Sequence, residues 1–71
     1  MTDTMLLAKA IDDSGLKKGY LAEKLGISRQ SLTSLLNGRT EFKASQIDTL
    51  TTLLQLTAER RDAIFFATPG A

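Results

Sequence analysis

The sequence predicts an all-α fold of five short helices, and three observations predict it. Strand formers are sparse, with one Tyr, three Phe and no Val in 71 residues, and the Ile and Thr do not alternate. Apolar residues recur three and four apart instead. Gly or Asn follows several of these runs, and Ser, Thr or Asp precedes them, where helix ends require such residues.

Thr2 or Asp3 can cap a first helix that runs to about Ser14, with Leu7, Ala10 and Ile11 on one face. Gly15 fits the left-handed position that ends it, and Leu16 can fold back onto its last turn. A second helix from about Lys18 to Leu25 turns Leu21, Ala22 and Leu25 inward, and Gly26 ends it. Ile27 occupies the turn, and Ser28 is an N-cap for a third helix from about Arg29 to Leu36. Leu32, Leu35 and Leu36 are spaced to face the core, which leaves Arg29, Gln30, Ser31, Thr33 and Ser34 outward or sideways. Asn37-Gly38 closes that helix. A loop through Arg39 to Phe42 follows, with Phe42 expected in the core. The fourth helix spans about Ala44 to Leu54 and buries Ile47, Leu50, Leu53 and Leu54. Thr57 can cap a fifth helix that ends near Phe66. The expectation is a single domain over residues 1–71, with an ordered core of about 4–67 and a tail at 68–71.

Composition narrows the possible chemistry. A chain of this length buries only about 60% of the surface its unfolded form exposes, so its stability should be on the order of 3–5 kcal/mol. Cysteine and histidine are both absent, which removes disulfides, the commonest metal ligands and the commonest general base. Asp12 and Asp13 are adjacent, so on a helix they project in different directions. The reading is of a protein that is not an enzyme, with no cofactor, no metal and no small-molecule substrate. The apolar stretch Met5-Leu6-Leu7-Ala8 is short and is followed by Lys9, Asp12 and Asp13, unlike a signal peptide. No run approaches the ~20 apolar residues that span a bilayer. No membrane partner and a cytoplasmic location are expected.

The net charge is +1, but it is unevenly distributed. In residues 17–43, Lys17, Lys18, Lys24, Arg29, Arg39 and Lys43 face only Glu23 and Glu41, a net of +4. The rest of the chain sets three cations against six carboxylates, a net of −3. A one-faced polyanion binder has this asymmetry, and so can a short chain by chance.

The basic segment coincides with the run Leu21-Ala22-x-x-Leu25-Gly26-Ile27-Ser28-x-x-x-Leu32-x-x-Leu35-Leu36-Asn37-Gly38. Two short helices can cross steeply here around a glycine turn, with the small Ala22 where they approach. The second would stand proud of the body with polar side chains near its N-terminus, a shape that fits the major groove.

On these residues the chain, over 5–66, resembles the DNA-binding domain of the phage lambda repressor and Cro-like family. Phe42-Lys43-x-Ser45-x-Ile47 and Ile64-Phe65-Phe66 look like short phage-encoded members. The resemblance implies a helix-turn-helix at helices two and three and a bacterial host cell. It implies base reading in double-stranded DNA by Arg29, Gln30, Thr33 and Ser34. It also implies phosphate contacts from Lys18, Asn37 and the helix start at Ser28. Lys17, Arg39 and Lys43 join these as charges near the motif. Lys17 stands where the family usually has Ser or Thr and Lys18 where it has Gln, while Gly19 is a poor helix residue.

Two functions remain open at this point. One is a Cro-type transcriptional regulator acting as a homodimer. The other is a small anti-repressor or modulator that binds a repressor protein. Ile64, Phe65 and Phe66 are consecutive and point about 100° apart. One short helix should not tuck all three away: Ile64 or Phe65 can pack in the core, at least one of Ile64 and Phe66 is expected to be exposed, and the three together are the expected dimer or partner surface.

Overall fold

A computed structural model describes residues 1–67, and the tail expected at 68–71 lies outside the described residues. Asp3 starts α1 (Thr4–Ser14), its carboxylate accepting the Leu6 N–H at 3.0 Å. The helix buries Leu7, Ala10 and Ile11, the face that the sequence spacing indicated. Gly15 ends it, and the Ser14 hydroxyl donates to the Ile11 carbonyl while accepting the Leu16 N–H. That pair of bonds tethers the connection into α2 (Lys18–Leu25).

Gly26 stops α2 at φ 69°, a left-handed conformation that costs side-chain-bearing residues about 1–2 kcal/mol. The Ile27 N–H reaches back to the Ala22 carbonyl at 3.0 Å and the Gly26 N–H to the Glu23 carbonyl at 3.1 Å, so two of the carbonyls in the last turn are satisfied. Two residues later, Ser28 caps α3 (Arg29–Leu36) through the Ser31 N–H.

The fourth element, α4 (Ala44–Leu53), begins at Lys43, whose side chain cannot accept a hydrogen bond. Gln46 supplies the reciprocal half of a capping box, its Oε1 accepting the Lys43 N–H at 2.8 Å. The end of α4 carried no glycine signal. Gln55 takes the left-handed position at φ 53°, and the Leu56 N–H bonds the Thr51 carbonyl at 2.9 Å. Thr57 then caps α5 (Ala58–Phe65) through the Arg60 N–H.

The five helices enclose one apolar cluster. Leu7, Leu21, Leu32 and Leu50, one from each of the first four helices, are essentially inaccessible. Phe42 enters the cluster from the loop, as expected, and meets Phe65 edge to face with ring centroids 5.3 Å apart. Leu36, Ile47 and Leu53 only border the cluster and are half-buried rather than fully inward. No polar residue is buried among those described.

The last helix requires a correction. Ile64 and Phe65, expected at a partner surface, are each only 3% exposed. The reasoning from sequence allowed α5 a single buried face. Instead α5 packs against both α1 and α4, and a helix in a groove buries a wider arc. Phe65 meets Phe42, and Ile64 lies beside Leu6 and Lys9 of α1. The Asp3 N–H also bonds the Ile64 carbonyl at 2.6 Å, and the Ala67 N–H bonds the Met1 carbonyl at 3.0 Å. Phe66, one step further round, remains 57% exposed.

Gly19 lies in the first turn of α2, and a methyl group built there would meet nothing within 4 Å. Gly19→Ala should therefore stabilise the fold by about 0.5 kcal/mol, the low end for a glycine in a helix. The expected readout is a melting temperature raised by roughly 2–4 °C. A fall would mean that the site is more crowded than it is here.

Candidate nucleic-acid interface

The candidate interface is built on α2, the turn and α3. Ala22, 2% exposed, sits on the inner face of α2, and α2 packs against both α3 and α4. Leu32 and Leu35 hold α3 to the body from below. At 3.6 residues per turn the opposite side of α3 then carries two rows four residues apart. One row is Arg29, Thr33 and Asn37, all exposed. The other is Gln30, exposed, and Ser34, half-buried. All four residues expected to read bases are therefore on α3, away from its inner stripe.

Two clefts flank this helix. One is lined by Lys18, Leu36 and Asn37 together with Lys9, Asp12 and Gly15 of the α1 end. The other is lined by Ser31 and Ser34 together with Thr40, Glu41 and Lys43. Lys18 and Asn37 are thus brought together on one side, and Lys43 joins Ser34 on the other. Lys17 is exposed immediately before Lys18, and Arg39 is exposed in the turn after α3. Ile64, Phe65 and Phe66 belong to a different region, since α5 packs on α1 and α4 and not on α2 or α3.

The hydrogen bonds distinguish free side chains from committed ones. The Ser28 hydroxyl accepts the Ser31 N–H and donates to the Ser31 hydroxyl, so its proton is engaged in its own cap. The Thr33 hydroxyl donates to the Arg29 carbonyl at 3.0 Å. Lys17, although it is the N-cap of α2, makes no capping bond with its side chain. A short hydroxyl there would satisfy a helix N–H, whereas the ammonium is left facing solvent.

The ion pairs are distributed in the same sense. Among the described residues they are Lys9–Asp13 at 3.7 Å and Arg61–Asp62 at 3.0 Å, both outside the basic segment. None of Lys17, Lys18, Arg29, Arg39 and Lys43 is in one, so no carboxylate of the described residues lies within ion-pair distance of them. Lys24 lies over the Tyr20 ring, 5.5 Å from its centroid. Sequence reasoning missed this contact, although the i, i+4 spacing on α2 is the signal that could have revealed it. No group of three or more metal-ligating side chains occurs among the described residues, and no helix among them is long and apolar enough to cross a membrane.

Two short packed helices joined by a glycine turn, the second carrying an exposed polar face, are the parts of a helix-turn-helix DNA-binding unit. The family model for the helix-turn-helix domain matches residues 6–64. The chain belongs to that helix-turn-helix family. No curated protein and no solved structure matches it.

Proposed function

We propose that this protein is a sequence-specific transcriptional regulator of the Cro and repressor type, reading operator DNA in the major groove with α3. The observation that carries this reading is the α3 surface: two outward polar rows between clefts edged by the cations Lys18 and Lys43, neither of them in an ion pair among the described residues although Asp12 and Glu41 line the same clefts. Arg29 has the fork geometry to take guanine O6 and N7, and Gln30 the amide to take adenine N6 and N7. Ser34 reaches a base or a phosphate one turn on. Lys17, Lys18, Asn37, Arg39 and Lys43 hold the phosphates on either side and set the register. Ser28 contributes through the helix start that it caps.

The test is duplex binding by the purified chain across a salt series. The affinity should fall steeply as salt rises, and Lys18→Ala should reduce the slope of log K against log salt by about one unit. An affinity indifferent to salt would overturn the phosphate contacts and, with them, the reading.

One such domain touches few bases, and paired domains meet two half-sites about a helical turn apart. Phe66 and Tyr20 are the exposed large aromatics among the described residues, and Phe66, the one on α5's side of the molecule, lies beside Phe42, Ala44, Ile47 and Arg61; it supports self-pairing at the end of α5. Phe66→Glu should leave the helix content intact while abolishing a dimer in sedimentation and weakening operator binding. The same surface would serve a second reading, a modulator that binds a repressor protein. A chain that stays monomeric alone but sediments with the repressor would favour that reading.

A further inference from the structure

We infer that Thr33 reads thymine through the 5-methyl group of the base, a specificity that rests on the proposed DNA reading. Thr33 is exposed on α3, in the row with Arg29 and Asn37. Its hydroxyl donates to the Arg29 carbonyl one turn back, at 3.0 Å. Thr49, Thr51 and Thr52 of α4 make the same bond to the residue four before each. The arrangement is therefore a habit of threonine in a helix, present before any DNA arrives. Turning the hydroxyl toward a base would only exchange one hydrogen bond for another, with little net gain.

With the hydroxyl engaged, the γ-methyl is the branch left to meet the groove. It stands among polar groups: the Arg29 guanidinium, the Gln30 and Asn37 amides and the Ser34 hydroxyl make no hydrogen bond to another described side chain. Thr33 thus supplies the methyl group of the two outward rows, whose other described members are Arg29, Gln30, Ser34 and Asn37. In the major groove one base edge carries a methyl group, that of thymine at C5. Placed against the amino group of cytosine or adenine, the threonine methyl would leave a donor without a partner. Placed against the thymine methyl, it removes apolar surface from water.

The experiment enriches a random duplex pool on the purified full-length chain. Deoxyuridine, which lacks the methyl, is then substituted for each thymine of the enriched site in turn. At one thymine per bound domain the affinity should fall roughly fourfold, the worth of about one buried methyl. Thr33→Val keeps the methyl and should keep that discrimination. Thr33→Ser keeps the hydroxyl and should bind thymine and deoxyuridine equally at that position. Enrichment of a site indifferent to every deoxyuridine would overturn this inference and leave DNA binding intact. So would a Thr33→Ser protein that still discriminates, because another group would then be reading the methyl. Failure to retain any duplex, with the chain shown folded by circular dichroism, would overturn the DNA reading itself.

Discussion

Leu32→Ala should leave the chain largely unfolded at 25 °C. Leu32 is 1% exposed and lies on the inner face of α3. Truncation of a buried leucine costs about 2–5 kcal/mol, part for lost burial and part for the cavity left behind. A chain of this size has on the order of 3–5 kcal/mol in total. The loss also falls where fold and function meet, because Leu32 helps fix the height and tilt of α3. Leu32→Met, which nearly conserves volume, should cost less than about 1.5 kcal/mol and retain duplex binding. Urea titration followed by circular dichroism reads both variants. A folded Leu32→Ala protein with an unshifted midpoint would show that α3 is not anchored through this side chain.

Arg29→Ala should do the reverse, sparing the fold and damaging recognition. Arg29 is exposed at the first position of α3, in none of the ion pairs among the described residues. The melting temperature should therefore move little. On the preferred site the affinity should fall by about 1–3 kcal/mol, with base preference relaxed at one position. Affinity for unrelated duplexes should fall much less. Equal weakening on every sequence would make Arg29 a phosphate contact and take it out of the reading set.

Much of this fold was legible in the sequence because its helix ends follow simple rules. The limits of α2 and α3 fall at the residues that the Gly26 turn and the Ser28 cap indicated. The inner stripe of α1 fell where the three- and four-residue spacing placed it. The sequence was less informative where one residue type substitutes for another. Gln55 closes α4 in a conformation usually left to glycine, and Lys43 starts α4 with the help of Gln46. Periodicity also counts one face per helix and cannot show that α5 lies in a groove, which is why Ile64 and Phe65 were assigned to the outside.

The candidate site was legible to a similar depth. Which residues of α3 point outward follows from the leucines beneath it. The commitment of a side chain's proton does not follow from sequence, because it depends on rotamer and not on position. Ser28 and Thr33 look as available as Ser34 in the sequence, yet the hydroxyl proton of each is engaged at home. That the basic segment forms no ion pair with another described residue was likewise invisible, since Glu23 and Glu41 lie close enough in the chain to have paired with it.

The two hydrogen bonds between the first three residues and the 64–67 segment bring the two ends of the described fold side by side. A short polar linker from residue 67 to residue 1 would close the chain into a ring without spanning the molecule. The backbone could then be reopened in the exposed stretch at residues 39–41, leaving every helix intact and the order of helices permuted. Residues 1 and 67 therefore share one pole of the molecule, the one formed by α1 and α5.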